Sequence, residues 1–501
     1  MKRFSFPSPY TILVFVIALA AAATWLLPAG TFASIAWDET TASFTLESPA
    51  GARSLPGTQS TLDSLGVRIP LESFRDGAIR RPVAVPGTYT SVDAARQGLV
   101  AIAQAPIRGL YDAIDVVLFV LVIGGFIEVF GRSGAFEAGI RTLTRRLAGR
   151  ESWLVIILTA LFALGGTTFG MGEETIAFYP ILVPVFIAAG YDRIVPIAVI
   201  FVGAGMGFMA STVNPFATII ASDAAGVTWT AGLGGRIAML VIGTAVCIGY
   251  TLRYANRVRA DPSRSLAGPP TAGQEIPALA GAPDATQQHT MDGRIRTLLG
   301  LFVLVFAVMI WGVSRLGWWF LEMTTLFFVA AVVVGILRGG GEKRFVSDFV
   351  RGAESLLGVS LIIGIARGAT IVMDEGQISG TLLQSASAAV SGMPGPAFIV
   401  ALMLVFSGLT LFISSSSGMA VLTMPIMGAL ATVVGVPSEQ IVNAYLYGFG
   451  IMSFITPVGL ILPSLAMVGV SYATWLRFVT PLLGLLAVIA AVFLVAGVVS
   501  G

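Results

Sequence analysis

The chain has 501 residues, of which 56% are hydrophobic and only 11% are charged. Soluble domains carry about 25% charged residues, and apolar runs of roughly 20 residues can cross a bilayer, so the composition predicts a polytopic membrane protein. A single cysteine and a single histidine, Cys247 and His289, exclude internal disulfides and effectively exclude His- or Cys-based chemistry. The net charge of +2 resides in loops and gives no sign of a nucleic-acid partner.

The first apolar stretch, from about residue 10 to residue 27, follows Lys2 and Arg3. A signal peptide has the same order of basic, apolar and small residues, but this apolar stretch exceeds the usual length of about 7–15 residues, which favours a retained helix with its N-terminus inside. Strand-like pieces such as residues 42–46 follow in a segment rich in Ser, Thr, Gly and Pro. A partly polar stretch with Arg108 then fits the membrane interface.

Two halves of the chain repeat at a fixed offset. Chance matching of glycines explains this pattern less well than duplication, because Arg-Gly and Thr-x-Phe pairs recur as well. After a slip of two residues, Gly190, Gly203 and Gly205 match Gly435, Gly448 and Gly450. The positions that recur 243 residues later are Arg108-Gly109, Gly125, Gly149, Gly165, Thr167 and Phe169, which match Arg351-Gly352, Gly368, Gly392, Gly408, Thr410 and Phe412.

The charges that flank the two copies change sides. Residues 141–150 of copy one contain four arginines, Arg141, Arg145, Arg146 and Arg150, whereas the counterpart at residues 382–392 has no charge. The positive-inside rule therefore places the first loop in the cytoplasm and the second outside. Oppositely inserted copies are typical of secondary transporters, whose substrate lies near the membrane midplane.

The predicted fold class is an all-α polytopic membrane protein with two inverted-topology repeats, re-entrant hairpins, broken helices and about 10–12 membrane-spanning segments. Its predicted units are a first transmembrane helix (1–30), an extracytoplasmic segment (31–98), inverted repeat 1 (99–230), a transmembrane helix (231–255), a cytoplasmic linker (256–293), a transmembrane hairpin (294–340), inverted repeat 2 (341–473) and a C-terminal transmembrane helix (474–501).

Each copy contains two polar breaks inside apolar segments, at residues 165–174 and 211–215 in copy one, and at residues 414–418 and 453–457 in copy two. Unpaired backbone at membrane depth is tolerated only where protein or water meets it, so the four breaks predict the walls of one site. For any single hydroxyl, bonding between helices is an equally good explanation. The hydroxyl and amide candidates are Thr167, Thr168, Asn214, Ser414, Ser415, Ser416, Ser417 and Thr456.

Glu173 and Glu174 are sharper candidates, because they lie in the first break at positions that match Ser416 and Ser417. An intramembrane carboxylate is costly and indicates function by default. A cation about 4 Å away is worth roughly 4 kcal/mol at an intermediate dielectric, which is enough to select a cationic substrate or coupling ion. Proton coupling through one of them is a further hypothesis, and the alternative is a solvated hairpin tip at the interface.

Arg367 also lies within an apolar stretch. It is placed either to clamp a substrate carboxylate or to pair with Glu128 or Asp115. We expect two groups of residues at the interface: the acids Asp112, Asp115, Asp374 and Glu375, and the anchors Trp318 and Trp319.

The stretches VPGTYT, APIRGLYDAIDVVLFVLVIGGF, ALGGTTFGMGEETIAFYP and ASTVNPFATIIAS resemble the YfcC-type family of basic amino acid antiporters, which is grouped with the anaerobic C4-dicarboxylate carriers in the ion transporter superfamily. The resemblance implies an elevator-like transport domain, scaffold helices that mediate homodimerisation, and sodium or a proton as coupling ion. By the same resemblance, a sodium site is expected near Gly166, Thr167, Ser211 and Asn214.

We therefore predict a prokaryotic inner-membrane antiporter for arginine, ornithine or lysine that works by alternating access and uses no cofactor other than a coupling ion. Glu173 and Glu174 would attract the cationic end, and the hydroxyls of both copies would bind the carboxylate. The alternative within transport is a sodium- or proton-coupled C4-dicarboxylate carrier that uses Arg367. An intramembrane serine hydrolase is disfavoured because no histidine base is available, and no nucleotide-binding motif supports ATP-driven transport.

Overall fold

The computed structural model describes residues 8–67, 69–75, 79, 82–135, 138–139, 142, 150–268, 276–279, 292–316, 318–390, 392–411 and 413–500. Among these residues, seven helices are long and apolar enough to cross a membrane, and three shorter apolar helical stretches accompany them. The predicted class, a helical polytopic membrane protein, is confirmed. Arg141, Arg145, Arg146, His289 and Phe412 lie outside the described residues.

The first helix is α1 (Pro9–Leu26), whose first turn is capped by the Ser8 side chain. A small β-domain follows, with a four-stranded antiparallel sheet in the order β4-β3-β2-β5. Its core includes the fully buried ring of Phe44, in the region where strand-like sequence predicts a strand. The elements are β1 (Gly30–Thr31), β2 (Ser34–Asp38), β3 (Ser43–Ser48), β4 (Gly51–Pro56), α2 (Gln59–Ser64), α3 (Leu71–Arg75), β5 (Val83–Ala84) and β6 (Thr90–Ser91).

Copy one is broken where the sequence places polar residues between apolar runs. Its elements are α4 (Leu99–Asp112), α5 (Ile114–Gly131), α6 (Ser152–Phe169), a 3-10 turn (Glu173–Phe178), α7 (Tyr179–Ala188), α8 (Ile194–Ile197), a π-helical turn (Ala198–Val202), α9 (Gly203–Met209), a second π-helical turn (Pro215–Ile219) and α10 (Ile220–Ala224). Helix α11 (Leu233–Ala260) then crosses to the linker, where two short 3-10 turns are described (Pro262–Arg264 and Pro277–Leu279).

A hairpin of α12 (Gly293–Leu316) and α13 (Phe320–Arg338) separates the copies. Copy two then repeats the plan of copy one with fewer irregular turns. Its elements are α14 (Gly341–Glu375), α15 (Ser379–Val390), α16 (Gly395–Thr410), α17 (Ser416–Val434), α18 (Ser438–Ser453) and α19 (Ile461–Val468), and the final helix is α20 (Tyr472–Ser500).

Glycines show how the inner helices of the two copies meet. A Cβ added to Gly205 would lie 2.5 Å from Cε1 of Phe454, and one added to Gly450 would lie 2.6 Å from Cβ of Met209. The pairs 205/450 and 209/454 have the same numerical offset, so the two contacts are reciprocal. Residue 205 contacts residue 454, and the later residue 209 contacts the earlier residue 450, so α9 and α18 run antiparallel.

The outer helices repeat this relation. A Cβ on Gly109 would lie 2.6 Å from the backbone nitrogen of Gly368, and one on Gly124 would lie 2.4 Å from the carbonyl oxygen of Gly352. Gly109 matches Gly352 in the repeat, and Gly125, next to Gly124, matches Gly368. Both sets of contacts are of the kind that an approximate two-fold axis across the helices would produce, and only glycine allows these backbones to approach so closely.

This packing corrects the expectation that residues 99–113 lie along the membrane interface. Helix α4 continues almost directly into α5, and both pack lengthwise against α14. Ala105 and Gly109 are buried in that contact, and Arg108 pairs with Glu375 at the end of α14, with Nη2 2.5 Å from Oε1. The physical reason is that small residues at helical spacing favour close helix contact over a position in the headgroup region.

Candidate functional site

A cavity of about 400 Å³ opens where the breaks of the two copies meet. Residues from both copies and from the start of α13 line its wall. The cavity brings together residues of three of the four breaks, 165–174, 414–418 and 453–457, whereas none of residues 211–215 lines it. Its described polar lining consists of Asp112, Asp115, Glu173, Glu174, Thr175, Arg367, Thr410, Ser414, Ser415, Ser416, Ser417, Ser453 and Thr456.

The copy-one tip uses one of its two acids to hold itself together. Helix α6 ends at Gly170, which has a left-handed backbone (φ 73°) and leaves room for the Asn214 side chain. The backbone N–H of Gly172 then donates to Oε2 of Glu174 at 2.9 Å, and Glu174 is buried. Glu173 is half-buried in the cavity wall beside it. A carboxylate at the start of a helical turn also meets the partial positive charge of unpaired N–H groups.

The copy-two tip has hydroxyls in the same place. Helix α17 begins at Ser416, and the Ser415 hydroxyl accepts a hydrogen bond from the Gly418 N–H at 3.1 Å. Tyr445 fixes the tip from behind by donating from its hydroxyl to the Ser416 carbonyl at 2.8 Å. The positive end of a 19-residue helix therefore faces the cavity without an acidic side chain of its own.

The described lining holds four carboxylates and one guanidinium. That guanidinium, Arg367, pairs with Asp112 (Nε to Oδ2, 3.0 Å). The expected pairing with Glu128 or Asp115 is therefore wrong. Glu128 pairs instead with Arg132 at 2.8 Å, and Asp115 accepts from the backbone N–H of Val116 at 2.8 Å. Asp112 and Asp115 both line the cavity, Asp112 with an exposed side chain, and their place at the membrane interface stays a prediction.

Three of the sequence candidates do not line the cavity. Thr167 is buried and donates to the Ala210 carbonyl at 2.9 Å, while the buried Asn214 uses Oδ1 to accept from the Phe216 N–H at 2.8 Å. Thr168 is exposed and donates back to the Leu164 carbonyl at 2.6 Å. These contacts brace the broken segments.

The expected sodium site near Gly166, Thr167, Ser211 and Asn214 stays a prediction. Of its side chains, Ser211 shares a hydrogen bond with the Thr218 hydroxyl and is fully buried. Thr456, by contrast, belongs to the cavity lining, but its hydroxyl is buried and makes no hydrogen bond within the described part of the chain. A buried hydroxyl without a partner is costly.

Sequence reasoning missed the aromatic part of the wall. Trp319 was expected to anchor the hairpin at the interface, but it lines the cavity and its ring centroid lies 5.0 Å from that of Phe216. The proximity of Trp319 to the acids gives no signal in the sequence, because the hairpin lies outside the repeated units. The aromatic residues of the lining are Phe201, Phe208, Phe216, Trp319, Phe320 and Phe449.

The profile of the C4-dicarboxylate anaerobic carrier family, DcuC, matches residues 6–499. The chain belongs to this DcuC family. A Haemophilus influenzae protein of unassigned function is 41% identical over 495 residues, which are 99% of this chain and 97% of that protein. Escherichia coli YfcC, whose name assigns it provisionally to basic amino acid antiport, is 30% identical over 519 residues, with 100% of this chain and 98% of YfcC covered.

Two solved transporter structures align with nearly the whole DcuC-family chain at low scores. The Alcanivorax borkumensis YdaH transporter gives a TM-score of 0.41 at 16% identity, with 98% of each chain covered. Neisseria gonorrhoeae MtrF, described as illuminating a class of antimetabolite efflux pumps, gives 0.40 at 16% identity, with 99% of this chain and 96% of MtrF covered. These scores carry no argument about the site. Family membership and the apolar helices make the chain a multi-pass membrane transporter.

Proposed function

We propose that this transporter is a secondary antiporter for a basic amino acid, with arginine, ornithine and lysine as the substrate class. The observation that carries the proposal is the charge of the cavity, where four carboxylates face one guanidinium that Asp112 already pairs. A low-dielectric cavity with excess negative charge favours a cationic solute and disfavours an anionic one.

The two hairpin tips suit the two ends of an amino acid. Glu173, Asp115 and the aromatic wall form a cation-binding side, while Ser415, Ser416 and the positive end of α17 form a carboxylate-binding side. Thr456 adds a hydroxyl without a protein partner among the described residues. Glu174 is set apart as an internal ligand of the tip, because it accepts the Gly172 N–H. It is the better candidate for proton coupling, and sodium coupling is the alternative.

A sodium- or proton-coupled C4-dicarboxylate carrier is the second candidate, favoured by the name of the family and by Arg367 in the cavity wall. A dianion would have to displace Asp112 from Arg367 and face Asp115, Glu173 and Glu174. Negative charges that share one cavity repel one another, so a dicarboxylate carrier requires protonated acids or added cations.

Catalysis is not part of the proposal. A serine hydrolase would need a general base beside Ser414 to Ser417, and the described cavity lining offers only carboxylates for that task. We further propose an inner-membrane location with the N-terminus inside, a homodimeric assembly and an elevator-like movement of the broken helices, as the family resemblance implies.

Counterflow in proteoliposomes tests the function. Vesicles preloaded with arginine, ornithine, succinate or nothing are offered labelled arginine and, separately, labelled succinate, with and without sodium and proton gradients. Basic amino acids alone should stimulate arginine uptake from the opposite side. Stimulated succinate exchange without arginine exchange would instead establish the dicarboxylate carrier.

A further inference from the structure

The turn between α12 and α13 holds one tryptophan in a fixed place. The Trp318 backbone N–H donates to the Gly312 carbonyl at 3.2 Å, and a Cβ on Gly312 would lie 2.2 Å from the Trp318 ring. The next residue, Trp319, donates its backbone N–H to Oε2 of Glu322 at 2.9 Å. With Trp318 packed over Gly312, the turn presents Trp319 to the cavity.

Trp319 there forms part of an aromatic cluster in a cavity wall that also holds carboxylates. Its ring centroid lies 5.0 Å from Phe216 on the copy-one break and 5.2 Å from Phe320. Phe320 in turn lies 5.6 Å from Phe119 on α5, the helix whose first turn carries Asp115. An aromatic face next to a carboxylate binds a cation by two mechanisms at once, one through the ring quadrupole and one through opposite charge.

We propose that Trp319 determines specificity for a guanidinium over an ammonium group, and hence for arginine over lysine. The inference rests on the proposed function and deepens it. A guanidinium is planar and weakly hydrated, so it stacks on an indole face at little desolvation cost, whereas an ammonium is compact and strongly hydrated. The competing explanation is that Trp319 only packs the hairpin against Phe216.

The test is competition between arginine and lysine for counterflow by wild type, Trp319→Phe, Trp319→Leu and a control, Trp153→Leu, which removes an exposed tryptophan of α6 outside the cavity. We expect the arginine-to-lysine preference to fall about fivefold in Trp319→Leu and less in Trp319→Phe, with Trp153→Leu unchanged. If Trp319→Leu fails to fold, Trp319→Phe carries the same comparison.

An unchanged preference in the Trp319 variants, with uptake retained, would overturn the specificity role. The proposed function fails in a different way, because wild type would then exchange neither arginine nor lysine. A fall in the rate for both substrates with a constant ratio assigns Trp319 to packing alone and also overturns the inference.

A second, independent observation concerns the β-domain, residues 30–91, which bridges two parts of the membrane domain. On one side the Gly30 N–H donates to the Gln377 carbonyl at 2.9 Å, and the Tyr89 hydroxyl shares a hydrogen bond with the Thr381 hydroxyl at 3.0 Å, at the end of α14 and the start of α15. On the other side, the Ser73 hydroxyl donates to Oδ2 of Asp223 at 2.6 Å.

The second side touches elements that bear the site. Asp223 lies on α10, which follows the copy-one break, and strand β5 packs on α17, the helix of the copy-two tip. An alternating-access carrier moves such elements relative to the long helices of its frame. On the proposed alternating-access function, on which this inference rests, a domain attached to both α14 and α10 would release one of them in each cycle.

We infer that the Ser73–Asp223 contact is a latch that opens during transport. In the test variant, C247S removes the single native cysteine, and S73C with D223C introduces a cysteine at each end of the contact. A short bifunctional thiol reagent then joins the two new cysteines. Cross-linking should lower the rate of counterflow at least tenfold while substrate binding persists. Each single-cysteine variant treated with the same reagent is the control. Full counterflow by a protein whose thiols are shown to be joined would overturn the latch.

Discussion

The two hairpin tips occupy equivalent places in the fold but carry different chemistry. The copy-one tip has Glu173 and Glu174 where the copy-two tip has Ser416 and Ser417. Glu174 accepts the Gly172 N–H of its own tip, whereas the start of α17 presents hydroxyls and backbone N–H groups to the cavity. A frame with equivalent positions but unequal tips can orient a substrate whose two ends differ in charge.

Removing this inequality should have the largest effect. The variant E173S/E174S makes both tips serine-bearing, and we expect arginine counterflow to fall about a hundredfold, equivalent to about 2.7 kcal/mol. Adding S416E/S417E to that variant relocates the acids and should not restore uptake, because they would oppose the substrate carboxylate at α17. Recovery on relocation would show that only net cavity charge matters.

The reciprocal glycines belong to the frame that the two tips share. Gly205→Ala and Gly450→Ala place a methyl group against Phe454 and Met209, and each should lower the free energy of unfolding by about 2 kcal/mol through overpacking. Thermal unfolding in detergent measures the change. Gly249→Ala on α11, with open space around its Cβ, is the matched control and should unfold no more easily than wild type, because alanine is the better helix former. A large effect at one glycine alone would contradict the two-fold relation.

A smaller effect is expected from the cap of the copy-two tip. Ser415→Ala removes the acceptor of the Gly418 N–H, which should cost about 1 kcal/mol and weaken arginine binding about fivefold. The neighbouring Ser414→Ala keeps that hydrogen bond and serves as the control in the same titration. Equal losses in the two variants would mean that Ser415 acts only as one hydroxyl among several.

The smallest effect should come from Arg367→Gln. The pair between Arg367 and Asp112 is partly exposed, and such pairs contribute about 0–1 kcal/mol, so arginine uptake should stay within about threefold of wild type. A dicarboxylate carrier that clamps its substrate with Arg367 would lose uptake far more steeply. Parallel measurements of arginine and succinate uptake separate these outcomes.

The sequence anticipated the parts of the fold that depend on pattern. Glycine recurrence predicted the repeat, and polar residues within apolar runs predicted that the tips at Glu173 and Ser416 would lie at breaks. It could not predict that α4 would pack along α14, because a stretch containing Arg108 fits an interface equally well until Glu375 is placed beside it. Nor could it place Trp319 in the wall, since that contact depends on how the hairpin packs rather than on local spacing.

The central claim, recognition of both ends of a basic amino acid, is tested most directly by isothermal titration of the purified protein in detergent. Arginine, its decarboxylated analogue agmatine and succinate are the three probes. We expect that arginine binds, that agmatine binds at least about tenfold more weakly because it lacks the carboxylate held by the copy-two tip, and that succinate does not displace arginine. Saturable binding of succinate with none of arginine would contradict it.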